Sequence, residues 1–265
     1  YEIASCLVGS EMCIRDSKLY LIENKNGTKK ISLQTYTRAV KTFLLWLNEN
    51  EFIQNVGKLK LIKAEIANIV PLSDVEVKIL LNNFDNSYFG IRNKLMVMFM
   101  LDSGLRRGEV VSLESKNIFM HNNTMLVQGK GEKERLVPFG EETKRYINRY
   151  SHMRNEYEKR FFQKEDGTPI TDNTIKMYFQ DLKESTGIIR LHPHLLRHTF
   201  ATNYILYGGD VEELRILLGH TSLQMTMKYV HLATQQRILN QRYHSHIDKL
   251  FCQYDNKLAR YSGSF

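Results

Sequence analysis

The chain has 265 residues, 42% apolar and 25% charged, which is enough to bury a sizeable core and unlike a disordered or low-complexity sequence. No run approaches the ~20 consecutive apolar residues of a membrane-spanning helix. A net charge of +8 and a pI near 9.2 favour a polyanionic partner, of which nucleic acid is the commonest.

The three cysteines, Cys6, Cys13 and Cys252, show neither CxxC spacing nor an even disulfide framework, which fits a reducing, cytoplasmic setting. Residues 1–17 lack an initiator Met, and their apolar piece is too short for a secretory core. Residues 7–16 (LVGSEMCIRD) look like the in-frame translation of a sequencing-library adapter, so residues 1–17 are expected to be a scar rather than a native leader. From Lys18 the chain becomes regular, with a turn signal at Asn26-Gly27 and a helix cap expected at Ser32. Tyr36, Val40, Phe43, Leu44 and Leu47 then recur at helical spacing, with Trp46 close to that face. Arg38 and Lys41 lie off the stripe, as candidate contacts to DNA phosphates or as a solvated basic face. A second helix near residues 58–67 has poor periodicity, and residues 63–72 read as a linker ending at Pro71.

Ser73 and Glu76 form a capping-box pattern ahead of VKILLNNF, and a new domain is expected to begin there. Residues 93–103 (NKLMVMFMLDS) are apolar nearly all round, the pattern of a buried helix whose methionines fill the core. A turn at Gly104 hands over to a helix starting near Arg107 and running through Leu113. Arg106 falls at its start, and Glu109, three residues on, is close enough to orient the guanidinium. TMLVQ and ERLVPF flank Gly129-Lys130-Gly131-Glu132, a β-hairpin with Lys130 at its turn. Taken alone, GKG is a turn with a solvated lysine, and the spacing of a P-loop is missing.

Residues 141–162 read as one charged helix, with Arg145, Tyr146, Arg149 and Tyr150 interleaved as either a nucleic-acid groove or an ordinary surface face. Thr171 or Asp172 caps a helix through Leu182, and Thr186-Gly187 ends it. Pro193 starts the helix that carries Arg197, with Phe200 and Ala201 on its buried side. Gly208-Gly209-Asp210 opens the next, whose Leu214, Leu217 and Leu218 face the core, and Gly219 stops it before His220. Residues 235–250 read as a further helix.

His194, Arg197, His220 and Tyr229 place a cation and two proton-transfer groups near a phenol, a set suited to a phosphate diester because an arginine fork matches two phosphate oxygens. A zinc reading of His192, His194, His198 and His220 lacks a well-spaced cysteine or acidic partner. His198 and His231 read as structural or surface groups, and Tyr204, Tyr207 and Tyr243 as competing phenols at the wrong distance.

Four segments together resemble the tyrosine recombinases, the phage integrase and Xer family. SGLRRGE resembles its first arginine box, GKGEKERLVPF its lysine hairpin, HPHLLRHTFAT its H-x-x-R box and LLGHTSLQMTMKYVH its final box. The compact box spacing is less similar to a type IB topoisomerase. The resemblance implies a mainly α fold with a small β-hairpin, no cofactor and no metal. It implies Arg106, Lys130, His194, Arg197 and His220 as catalytic groups, Glu109 in support and Tyr229 as the nucleophile. It also implies a 3′-phosphotyrosine intermediate in site-specific recombination of double-stranded DNA, by a bacterial or phage-encoded cytoplasmic enzyme acting at the nucleoid. A homotetramer joined through the C-terminal tail is implied as well. On that resemblance residues 73–265 are expected to be the catalytic domain, and residues 18–72 the last part of a helical core-binding domain and its linker. Such a domain has four or so helices in the family, so truncation is expected, and with it an alternative: an inactive DNA-binding fragment.

Overall fold

The computed structural model describes residues 30–52, 69–129 and 133–239, and the chain divides into two compact units, residues 1–68 and 69–265. In the first unit α1 (Lys30–Glu49) starts before Ser32, which lies inside the helix instead of capping it. The face it buries is narrower than the apolar stripe, with Thr37 and Leu44 each 2% exposed, one heptad apart. Thr37 can sit there because its hydroxyl donates to the Leu33 and Gln34 carbonyls. Phe43 and Trp46 remain half exposed and stack on each other at 6.2 Å. Arg38 is exposed and Lys41 half-buried. The Asn26-Gly27 turn and the second helix near residues 58–67 lie outside the described residues.

The second unit opens with α2 (Asp74–Asn82), whose Ser73–Glu76 capping box forms as expected. Next, α3 (Tyr88–Asp102) is capped by Ser87 and begins five residues before the apolar run that announced it. Leu95, Val97, Phe99 and Met100 on it are fully buried, so it is the axis of the larger core. Truncating Phe99 to Ala there would cost about 3–5 kcal/mol. After α4 (Arg107–Ser112) and a 3₁₀ turn comes a three-stranded antiparallel sheet, β1 (Ile118–Phe119), β2 (Thr124–Gln128) and β3 (Glu134–Pro138). In the hairpin Met125 pairs with Val137 and Val127 with Arg135. The two-residue β1 is too short to show alternation, which is why the sequence announced only a hairpin.

The helix expected over residues 141–162 is cut short: α5 (Glu141–Ser151) ends eleven residues early. Beyond it Phe161 and Phe162 turn into the core against Phe99 and Tyr150, and the Phe161 amide donates to the Leu113 carbonyl. Arg154 holds that irregular backbone by donating to the carbonyls of Glu158, Arg160 and Phe161. Tertiary burial and this carbonyl capture outweigh helix propensity. Then α6 (Asp172–Thr186), capped by Thr171, ends at left-handed Gly187.

A second, smaller core lies between α7 (Pro193–Leu206), α8 (Val211–Leu218) and α9 (Gln224–Leu239). Leu214 and Leu218 are fully buried there, whereas Leu217 is half-buried. Tyr229 belongs to this core, at 1% exposure. The further helix expected from Gln235 is instead, as far as Leu239, the end of the helix that already carries Tyr229. The rest of that segment lies outside the described residues.

Candidate active site

Arg106 is the N-cap of α4, and Glu109 is its third helical residue. The Arg106 amide donates to Glu109 Oε2 at 2.7 Å and its guanidinium to Oε1 at 2.8 Å, so one carboxylate fixes both backbone and side chain. Glu109 is 5% exposed. Burial raises its carboxyl pKa, but the Arg135 hydrogen bond and charge, with the Arg106 donors, carry it below the ordinary value.

Arg197 is 4% exposed on α7, with Nη1 donating to the Gly104 carbonyl and Nη2 to the Leu218 carbonyl, both at 2.6 Å. Gly104 has φ +64, and a Cβ on it would lie 2.4 Å from the Phe200 ring, so glycine is required where this carbonyl is presented. Burial, then the neighbouring Arg106, lowers the Arg197 pKa to about 10, which leaves it cationic at neutral pH. Its Nη1 stands 3.9 Å from Glu109 Oε2.

Left-handed Gly219 closes α8 and delivers His220, which is 8% exposed. Nε2 of His220 is 3.4 Å from Arg197 Nη2, and Nδ1 is 2.9 Å from the Thr226 hydroxyl. Arginine can only donate, so Nε2 accepts, and Nδ1–H donates to Thr226. Burial, then Arg197 and Arg106, lower the His220 pKa to about 4.

Tyr229 lies behind His220, the two rings nearly parallel with centroids 6.3 Å apart. Its hydroxyl is 2.8 Å from Nδ1 of His198, one turn beyond His194 on α7. Burial raises the phenol pKa to about 12 against the opposing pull of Arg197 and Arg106. Burial and then Lys228 lower the His198 pKa to about 4, so at neutral pH the imidazole is neutral and its Nδ1 can accept the phenol proton. Lys228 sits over the Tyr229 ring at 4.8 Å.

Arg106, His194 and His220 face an open cleft of about 1320 Å³, larger than the ~300–1,000 Å³ of small-ligand pockets. Lys133, Lys176 and Lys183 also line it. His194 is exposed, with a pKa lowered by burial, then by Arg197 and its other basic neighbours. Arg197 and Tyr229 are not among the cleft-lining residues. Lys130 lies outside the described residues. Arg145 and Arg149 are also away from the cleft on α5, Arg145 paired with Glu142 and Arg149 with Asn86. Among the described residues, no group of three or more His, Cys, Asp or Glu could hold a metal ion.

Two contributors escaped the sequence reading. His198, read as structural or surface, touches the Tyr229 hydroxyl. The available signal was its i+4 spacing from His194, which puts both imidazoles on one helix face. Arg135 binds both oxygens of Glu109 at 2.9 Å, and in sequence it was one charge in a charged strand.

A mainly helical unit that gathers arginine, histidine and tyrosine beside a cationic cleft is the architecture of the tyrosine recombinases. The family profile described as the phage integrase family matches residues 71–236, more than half of the chain, and the protein belongs to that family. It is similar to tyrosine recombinase XerC of Staphylococcus epidermidis, at 30% identity over 237 residues, covering 84% of this chain and 78% of that protein. The crystal structure of XerA recombinase is 26% identical, covers 89% of this chain and 85% of that one, and has a TM-score of 0.59. The Tn1549 transposon integrase in complex with a circular intermediate DNA shares the fold at a TM-score of 0.71 and 18% identity, covering 92% of this chain and 84% of that one.

Proposed function

We propose that this chain cuts and rejoins double-stranded DNA at specific sites through a covalent bond to Tyr229. The phenol oxygen attacks the scissile phosphorus, the P–O5′ bond breaks, and a 3′-phosphotyrosine and a free 5′-hydroxyl result. Covalent catalysis splits the exchange into two transesterifications that conserve bond energy, so no nucleotide cofactor is needed. Arg106 and Arg197 act as preorganised donors to the non-bridging oxygens, on which charge builds up. When phosphate takes the place of the Arg197 contact, His220 turns to its Nε2–H tautomer and donates to the same phosphate, its Nδ1 then accepting from the Thr226 hydroxyl, and Lys130 protonates the leaving 5′-oxygen. His194, at the cleft, and His198, already at the phenol, are the groups positioned to handle the tyrosine proton.

The observation that carries this reading is one continuous set of contacts. Glu109 binds Arg106, Arg197 is 3.9 Å from Glu109 and 3.4 Å from His220, and the His220 ring parallels Tyr229. Relatives that bear the names of recombinases and a DNA-bound integrase of the same fold support DNA as the substrate. With Tyr229 only 1% exposed, its ring must move toward the cleft before attack. That burial also favours a second reading, a unit that binds DNA without cutting it. A nicked suicide duplex separates them: a protein–DNA adduct that disappears in Tyr229→Phe supports cleavage, and DNA binding with no adduct supports the second reading. An adduct that survives Tyr229→Phe removes Tyr229 as nucleophile.

A further inference from the structure

Arg135 belongs to none of the four sequence boxes' catalytic positions, yet it joins three parts of the site. It sits on β3 opposite Val127, and its side chain is 8% exposed. Nη1 and Nη2 make a side-on fork to Oε1 and Oε2 of Glu109, both at 2.9 Å, and Nε donates to the Leu217 carbonyl at 2.7 Å. That carbonyl lies in the last turn of α8, just before Gly219 and His220. Gly219 packs on the same guanidinium, since a Cβ there would lie 3.2 Å from Arg135 Nη1.

The charges do not balance as in a purely structural pair. Three guanidiniums, of Arg106, Arg135 and Arg197, stand within 4.0 Å of the single Glu109 carboxylate. Arg197 and Arg135 are buried, while Arg106 keeps 34% of its side chain exposed at the cleft. Because Arg135 occupies both carboxylate oxygens from the side, Glu109 holds Arg106 through one Nη nitrogen and the backbone amide. The rest of the Arg106 fork is left for an incoming anion.

We propose that Arg135 is a positioning residue for phosphate activation: it fixes Glu109 so that Arg106 is presented to the scissile phosphate, and it holds the turn that delivers His220. The proposal rests on the cleavage reading above. Arg135 touches no reacting atom and acts through Arg106 and His220.

The test is a double-mutant cycle on single-turnover cleavage of a nicked suicide duplex, with DNA affinity and melting temperature measured alongside. Arg135→Lys keeps the cation and loses the fork. It should melt within a few degrees of the unsubstituted chain and bind DNA within about threefold, yet cleave at least about tenfold more slowly. Combining it with Arg106→Lys should cost clearly less than the product of the two single losses, because part of the Arg135 effect passes through Arg106. Cleavage at the unsubstituted rate by Arg135→Lys, or multiplying losses in the double variant, overturns the proposal. Should Arg135→Lys fail to fold, Glu109→Gln/Arg135→Met removes both buried charges together, and full cleavage by that variant overturns it equally. No adduct from the unsubstituted chain overturns the cleavage reading itself and the proposal with it, whereas an adduct with additive losses overturns this proposal alone.

Discussion

Glu109 is the residue on which the second unit's charged interior depends. Its carboxylate faces Arg106, Arg135 and Arg197, and two of those guanidiniums are 8% and 5% exposed. Removing one partner from a buried ion network leaves uncompensated charge and costs about 3–5 kcal/mol. Glu109→Ala should therefore lower the melting temperature by roughly 10 °C, and Glu109→Gln by less; a scanning calorimetry trace shows it. The two imidazoles beside Tyr229 contribute with a definite sign. His198 and His220 each have a folded pKa of about 4 against 6.5 for the free side chain. Between those values the unfolded chain binds more protons than the folded one. Their contribution is complete above about pH 6.5 and is lost as the pH falls toward 4. Urea midpoints should drop between pH 7 and 4.5, and the drop should shrink in His220→Gln, with at most a few kcal/mol at stake. Part of this residue-level geometry was legible. The spacing of His194 and Arg197 sets them one turn apart, and Glu109 follows Arg106 by the three residues of a cap. Arg135 and His198 were not legible, because what they touch, Glu109 and Tyr229, lies 26 and 31 residues away in the chain.

At the scale of elements, short-range capping signals held at several helix ends of the second unit. Ser73, Thr171, Asp210 and Gly219 end or begin helices where their side chains or backbone freedom require it. Residues 152–162 failed for the complementary reason, since burial of Phe161 and Phe162 and the reach of Arg154 are tertiary facts. Gly104 is where an element junction and the site coincide. It follows α3 in a left-handed conformation, packs against Phe200 and accepts from Arg197. Gly104→Ala must absorb about 1–2 kcal/mol of backbone strain as well as a close contact with Phe200. It should lower the melting temperature by several degrees and slow adduct formation by displacing Arg197. Unchanged cleavage at a lowered melting temperature would show that the Gly104 carbonyl does not position the guanidinium.

For the molecule as a whole, a net charge of +8 announces a polyanion but not where it lies. The structure concentrates cations along one cleft of the second unit. Lys133, Lys176 and Lys183 line it, and none of the three pairs with a carboxylate among the described residues. Arg145 and Arg149, equally basic in sequence, sit elsewhere with Glu142 and Asn86 as partners. Each phosphate neutralised by a cation releases condensed counterions, so log K falls with log salt at a slope near −0.9 per contact. A cleft that follows a DNA backbone therefore makes a residue-by-residue prediction. Lys176→Ala and Lys183→Ala should each weaken duplex binding and reduce that slope by about 1, whatever the sequence of the duplex. Arg145→Ala and Arg149→Ala should leave the slope unchanged. Fluorescence anisotropy titrations from 50 to 200 mM salt measure all four. A loss of slope in the α5 variants instead would move the DNA path from the cleft to the face carrying Arg145 and Arg149, and with it the phosphate that Arg106 would meet.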